Sequence, residues 1–258
     1  MYQFFVEPNQ INDKTVTIVG SDVNHIKNVL RIKPGEEFNV LTGDSDLEYR
    51  CSIREFGNES ITCDILFIKQ NNTELGAEIW LLQGLPKGDK MELIIQKAVE
   101  LGASKIVPVA MERSVVKVDD KKADKKVSRW NAISEAAAKQ SKRRIIPEIS
   151  APVTFTEVMN ETSDFDIKIL PYEMADMDAI AKTREIIGLA KPGQRIAILI
   201  GPEGGFSEKE YELAVKNNWQ EITLGHRILR TETAGMVVLS WLILQLECAK
   251  GDGSCWHH

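Results

Sequence analysis

Two patterns of apolar and polar positions divide the chain. Through residue 70 the apolar residues come in short runs, at 2–6, 15–19, 38–41, 47–54 and 60–68, rich in β-branched and aromatic types. Turn signals separate them: Lys33-Pro34-Gly35-Glu36, Thr42-Gly43-Asp44 and Gly57-Asn58. Short strands between such turns predict a small β-barrel. One helix interrupts it, from Asp22 to about Leu30, with Val23, Ile26, Val29 and Leu30 on one face and Arg31 directly after. The polar stretch 70–76 (QNNTELG) reads as a domain boundary.

From Ala77 the pattern changes to strand–helix alternation. Residues 79–83 read as a buried strand. Asp89 is the expected cap of a helix, with Glu92 completing a capping box; Met91, Ile94, Ile95, Ala98 and Val99 form its apolar face and Gly102 stops it. A strand at 105–110 completes a βαβ unit, expected to be parallel and right-handed. A helix over 127–138 follows, with Val127, Trp130, Ile133 and Ala137 in register. Residues 147–152 read as an irregular connection. Strands at 166–170, 195–200 and 221–224, with helices at about 178–189 and after Ser207, continue the alternation. The last element, Thr233 to about Ala249, is apolar nearly all round. Such a helix must be covered on every side, and a second subunit would provide the cover.

Composition changes this picture little: 258 residues, 43% hydrophobic and 27% charged, describe an ordinary globular chain of one large or two smaller domains. Charge changes it more. The net charge of −6 alone argues against nucleic acid, yet residues 113–144 carry 11 Lys/Arg against 4 Asp/Glu. A local basic patch is the better pointer. Lys142, Arg143 and Arg144 beside Gln140 and Ser141 suit phosphate and sugar oxygens. The mixed run 119–126 is either a solvated loop or part of the same surface. Cys51, Cys63, Cys248 and Cys255 show no CxxC spacing, and neither a signal peptide nor a membrane-length apolar run is visible. These features predict a cytoplasmic protein with reduced thiols and no metal site. Residues 251–258 (GDGSCWHH) read as a flexible tail.

The chemistry concentrates in 199–235, LIGPEGGFSEKEYELAVKNNWQEITLGHRILRTETAG. One strand ends in Gly201-Pro202-Glu203-Gly204-Gly205, and Ser207 with Glu210 caps the following helix. A second strand ends in Gly225, with Arg227, Arg230, Glu232 and Thr233 close behind. In open α/β sheets ligands bind outside the carboxyl ends of strands, so the active site is expected there. GPEGG is neither a P-loop nor GxGxxG. Its glycines let backbone approach a ligand closely, with amides and carbonyls able to bond the edges of a base. No Ser/His/Asp arrangement supports hydrolase chemistry.

The segments IGPEGGFS (200–207) and LGHRILRTETAG (224–235) resemble the bacterial 16S rRNA uridine-N3 methyltransferase family (RsmE) of the SPOUT superfamily. The likeness extends through LLQGLPKGDKMELIIQKAVELGASKIVPV (81–109), ERSVVK (112–117), EAAAKQS (135–141) and HIKNVLR (25–31). It implies an α/β fold: a SPOUT-type parallel sheet with a C-terminal trefoil knot over 73–250, preceded by a PUA-like, RNA-binding β-barrel over 1–72. It also implies S-adenosyl-L-methionine as cofactor, S-adenosyl-L-homocysteine as product, and a homodimer formed through the C-terminal helix. The partner would be 16S rRNA or the assembled small ribosomal subunit. Three loops would build the cofactor pocket, with Leu170, Pro171 and Glu173 in the first, Ile200, Gly201, Pro202, Glu203, Gly204 and Gly205 in the second, and Leu224, Gly225, Arg227, Ile228 and Leu229 in the third. Arg31, Arg113, Ser114, Lys142, Arg143 and Arg144 are the candidates for rRNA contact. For catalysis, Arg230 would stabilise the negative charge that develops on the uracil oxygens, and Glu232 or Glu203 would accept the N3 proton or orient the arginine. Methylation of ribose 2′-O or guanine N1, and a non-catalytic RNA-binding role on the same fold, are the competing expectations.

Overall fold

A computed structural model describes residues 1–114, 120–172 and 180–248, with the backbone alone at 120–123 and 248. Contacts divide them into two units, Met1–Thr73 with Ala138–Ile146, and Glu74–Ala137 with the described residues from Pro147 onward.

The first unit holds β1 (Gln3–Phe5), β2 (Thr15–Val19), α1 (Ser21–Asn24), β3 (Glu37–Leu41), β4 (Leu47–Phe56) and β5 (Ser60–Gln70). The strands form one sheet in the order β1-β3-β4-β5-β2, parallel between β1 and β3 and antiparallel elsewhere. Its core contains Phe4, Val16, Ile18, Ile26, Phe38 and Ile61, and Phe4 meets Phe38 edge to face at 5.3 Å. The expected helix at 22–30 is a departure. After α1 the chain widens into a π-helical turn, His25–Leu30, which ends at Arg31 in the left-handed region (φ 53). The wider turn breaks the predicted face: Ile26 is fully buried but Val29 is 62% exposed. The thiols of Cys51 and Cys63 are both buried, and burial pushes each up to about 12, so they stay protonated near neutral pH.

The second unit contains β6 (Glu78–Gly84), α2 (Lys90–Glu100), β7 (Lys105–Ala110), α3 (Asp120–Ser141, counted with the first unit from Ala138), β8 (Glu148–Ile149), β9 (Val153–Thr154), α4 (Phe155–Glu161), β10 (Ile167–Pro171), α5 (Ile180–Gly188), β11 (Arg195–Ile200), α6 (Glu208–Lys216), β12 (Gln220–Ile222) and α7 (Thr231–Cys248). Its sheet runs β12-β10-β11-β6-β7-β8, with every pairing parallel. Parallel strands are covered on both faces, which is why β11 reads RIAILI, buried from Ile196 to Ile200.

Two local expectations are corrected. Asp89 makes no side-chain cap bond, because its backbone (φ −92, ψ 9) is not in the extended conformation a capping residue adopts. Glu92 is paired instead with Arg129 at 2.8 Å. The connection expected at 147–152 carries β8, and β9 and α4 follow it. The start of α4 is marked by a full capping box between Thr154 and Glu157, a T-x-x-E signal present in the sequence. Helix α7 buries Val238, Leu239, Leu242 and Leu246, but Leu244 is 55% exposed. Residue 178, where α5 was expected to begin, and the tail 251–258 lie outside the described residues. Among the described residues no helix is long and apolar enough to cross a membrane.

Candidate active site

Parallel strands all end on one side of a sheet, and the neighbours β12, β10 and β11 release their loops there. These loops, with Lys90 and the first turn of α7, enclose a cavity of about 440 Å³. That volume is in the range of small-molecule sites.

The loop after β11 is braced from several sides. Thr231 Oγ donates to the Gly201 carbonyl at 2.6 Å and accepts from Gln83 Nε2 at 2.8 Å. Arg113 Nη1 donates to the Gly204 carbonyl at 3.1 Å. The Glu203 carboxylate accepts from the Lys87 backbone N–H at 3.2 Å and from the Lys90 ammonium at 2.8 Å. Beyond it Ser207 and Glu210 form the capping box that their spacing predicts. The second oxygen of Glu210 accepts from the Glu112 N–H at 2.8 Å. Gly84, at the end of β6, lies so close that a Cβ there would stand 2.6 Å from the Pro202 nitrogen. Gly235 plays a similar part in α7, where a Cβ would meet Leu81 at 3.3 Å.

The loop after β12 is tied at its root and open at its tip. The Thr223 N–H donates to Thr183 Oγ at 3.1 Å, and the Gly225 N–H donates to Thr223 Oγ at 3.2 Å. Gly225 takes φ 95, a conformation that favours glycine. Beyond it Ile228 is 84% exposed. The Arg230 side chain is also exposed, with Nη1 a loose 3.9 Å from Glu232 Oε1.

The third side is aromatic. Tyr172 follows β10, lines the cavity and stacks on Tyr211 at 4.4 Å. The Tyr211 hydroxyl donates to Glu221 at 2.7 Å, and that hydrogen bond, with burial, pushes the phenol up to about 12.

Three charges meet at the cavity wall. Burial works against the Glu203 carboxylate, but the bonds from Lys90 and the backbone outweigh it and hold the group below the usual carboxylate range. The Lys90 ammonium is raised in turn, first by its hydrogen bond to Glu203. Lys90 Nζ also lies 3.4 Å from Glu232 Oε2. That oxygen is buried and accepts no hydrogen bond of good geometry.

Most of the residues expected at the pocket line this cavity: Pro171, Ile200, Gly201, Pro202, Glu203, Gly205, Leu224, Gly225, Arg227, Ile228 and Leu229. Arg230 lines it too, and Glu232 stands beside it through Lys90. Leu170 does not, because its side chain is wholly buried in the core beneath the sheet. Gly204 does not either, because it faces Arg113, whose Cβ would be 3.0 Å from a Cβ at that position. Glu173 is outside the described residues. Tyr172 and His226, within the first and third expected loops, also line the cavity, and Lys90, Phe206, Thr223, Thr231 and Ala234 line it from outside the expected loops.

The RNA candidates separate. Arg31, Arg113 and Lys142 are exposed. Arg143 is corrected: it is 3% exposed, and its carbonyl accepts from Gln3 at 2.8 Å. Arg144 is half-buried and donates to the Ser45 carbonyl at 3.0 Å. Ser114 spends its hydroxyl within its own turn, accepting from the Met111 N–H at 3.3 Å.

Two family models match the chain, an RNA methyltransferase domain over residues 73–243 and an RNA methyltransferase PUA domain over 18–66. Ribosomal RNA small subunit methyltransferase E of Bacillus subtilis is 37% identical over 256 residues, covering 98% of this chain and 100% of the relative. A solved ribosomal RNA small subunit methyltransferase E from Neisseria gonorrhoeae, bound to S-adenosyl methionine, superposes with a TM-score of 0.80 at 30% identity, covering 93% of this chain and 95% of that one. A Legionella pneumophila structure with bound cofactor SAM superposes with a TM-score of 0.81 at 30% identity, covering 96% and 97%. A methyltransferase-domain match over most of the chain, joined to a likeness running the whole length of a relative, leaves one placement: the chain belongs to the RNA methyltransferase family of ribosomal RNA small subunit methyltransferase E.

Proposed function

We propose that this chain is an S-adenosyl-L-methionine-dependent methyltransferase that methylates N3 of a uridine in 16S rRNA. The observation that carries the reading is the cavity itself, built by three adjacent strand ends of the segment that matches the RNA methyltransferase domain. The residues fit the cofactor. Ile228 and Leu229 offer apolar surface to an adenine face, and an isoleucine left 84% exposed at a cavity mouth is surface that a flat ligand would cover. The backbone of 201–205 and 224–229 offers amides and carbonyls to the edge of the base.

S-adenosyl-L-methionine supplies the electrophilic methyl group and is released as S-adenosyl-L-homocysteine. The protein handles the proton and the charge. Uridine N3 is protonated near neutral pH, and as its proton leaves, negative charge spreads to O2 and O4. Arg230, exposed at the cavity, stabilises that charge. Glu232 accepts the proton, since its contacts are the looser ones, Lys90 at 3.4 Å and Arg230 at 3.9 Å, whereas shorter bonds from Lys90 and Lys87 hold Glu203. Arg31, Arg113 and Lys142 contact the rRNA. The exposed Leu244 side of α7 pairs with a second copy of the chain, and the enzyme works in the cytoplasm beside its ribosomal substrate.

The test is methyl transfer. The protein is incubated with labelled S-adenosylmethionine and small subunits lacking their native methylations, and the labelled nucleoside is identified. Label in 3-methyluridine is expected; label in another nucleoside discards the substrate assignment. Arg230→Ala should lower turnover by about a hundredfold with little change in cofactor affinity. A collapse of cofactor binding would instead make Arg230 part of the pocket.

A further inference from the structure

One side of the cavity is built from aromatic rings. The Tyr172 N–H donates to the Ile222 carbonyl at 3.1 Å, so the pairing of β10 with β12 runs one residue past β10 and fixes the Tyr172 backbone at the cavity. Phe206, directly before the Ser207 cap of α6, lines the same cavity and is 6% exposed. The two rings stand 6.4 Å apart and are tilted by 56°, which makes a corner. Tyr211 backs it: its ring stacks on Tyr172 at 4.4 Å, and its hydroxyl donates to the Glu221 carboxylate at 2.7 Å. A phenol that donates to a carboxylate keeps its ring electron-rich, and with its hydroxyl pushed up to about 12 it stays neutral. Among the described residues the charged side chains lining the cavity are Lys90, Glu203, Arg227 and Arg230. The first two are paired with each other, and the two arginines are exposed. Arginines draw anions and repel cations, whereas the negative face of an aromatic ring attracts a cation.

We propose that the corner of Tyr172 and Phe206 recognises the positive charge of the cofactor's sulfonium, and so distinguishes the methyl donor from its neutral thioether product. Ile228, Leu229 and the backbone of the two loops offer their contacts to adenine, which donor and product share, so those contacts favour neither. The amino-acid end is shared as well. Only the sulfur changes. When the bond from sulfur to the methyl carbon breaks, its electron pair stays on sulfur and the methyl joins the nucleophilic nitrogen. The ligand left in the cavity has then lost a positive charge, and with it the attraction of the rings, which favours exchange of spent cofactor for fresh. The inference rests on the methyltransferase reading for the identity of the ligand.

The test compares binding to the full chain by titration calorimetry, without RNA and without turnover. The ligands are S-adenosylmethionine, S-adenosylhomocysteine and sinefungin, which carries an ammonium-bearing carbon in place of the methylated sulfur. Tyr172→Leu keeps apolar bulk and removes the aromatic face. It should weaken S-adenosylmethionine and sinefungin by about tenfold and S-adenosylhomocysteine by less than about twofold. Tyr172→Phe, which keeps the ring, should hold all three within about twofold of wild type. Equal losses for donor and product overturn the proposal, because the ring would then contact a part they share. Loss for S-adenosylmethionine with sinefungin spared overturns it too, since the ring would then sense the extra methyl and not the charge. If Tyr172→Leu does not fold, Phe206→Leu is measured instead, and an unchanged ratio of donor to product affinity there overturns the proposal. A wild-type protein that binds none of the three overturns it together with the methyltransferase reading. Selective loss in a protein that transfers no methyl group to RNA supports the role of the corner and overturns the functional reading alone.

Discussion

The loops after β11 and β12 leave the same end of one sheet and line the same cavity, yet they are built in opposite ways. The first is locked by Thr231, Arg113, Lys87 and Lys90, and backed by the Ser207–Glu210 box. Among the described residues the second is tied by hydrogen bonds at Thr223 and Gly225, and then presents Ile228 and Arg230 to solvent. A site that holds a cofactor and admits a macromolecule needs both. Rigid backbone gives fixed amides and carbonyls to one ligand, and exposed side chains are surface the other can reach. The contrast predicts that damage to the first loop is paid in stability, and damage to the second in binding.

The sharpest way to break that contrast is Gly84→Ala. The added methyl would stand 2.6 Å from the Pro202 nitrogen and 2.9 Å from Met111 Sδ, so backbone must move. Overpacking of this kind costs about 1–3 kcal/mol, and backbone contact belongs at the upper end. Thermal unfolding should fall by roughly 5–10 °C for a chain of this size. An unchanged melting temperature would mean the loop after β11 is not locked. Ile228→Ala is the opposite probe. At an exposed position it should leave stability within about 0.5 kcal/mol, while titration calorimetry finds S-adenosylmethionine affinity lower by about tenfold, near the worth of a buried isoleucine methyl pair. Loss of stability with normal affinity would reverse the assignment of the two loops.

The sequence made the locked loop more legible than the open one. Its glycines and the S-x-x-E signal after it are local features, and local features survive folding: the capping box formed at Ser207 and Glu210 as spaced. The same reasoning failed at Asp89, where backbone conformation denied the cap, and it passed over Thr154, where an equivalent signal was present. The parallel sheet was legible from its buried apolar runs. Non-local pairings were not. Lys90 is more than a hundred residues from Glu203 and Glu232, and nothing in KGDK announces that its second lysine meets them. The cluster at 142–144 shows the converse error, since three adjacent cations read as one surface. Their chain turns at Lys142, which has φ 59, sending Arg143 inward and leaving Lys142 outside.

The smallest effect expected concerns the charge pair that ties α2 to the locked loop. Glu203 is held below its usual value of 4.5, so its contribution to stability is present above that pH and is lost as pH falls through the lower folded value. Lys90 is raised above 10.5, so its contribution is present below that pH and is lost as pH rises through the higher folded value. The window in which both are charged and paired therefore spans the neutral range from about pH 5 to about pH 10. Glu203→Gln should melt below wild type by a constant small margin across that window, because partly exposed ion pairs contribute little. At either end the two curves should converge, in acid because wild-type Glu203 is protonated and in alkali because Lys90 is neutral. A margin that persists unchanged below the folded value of Glu203 would show that the hydrogen-bond geometry around its side chain outweighs the charge. The locking of the loop would then be a matter of hydrogen-bond geometry.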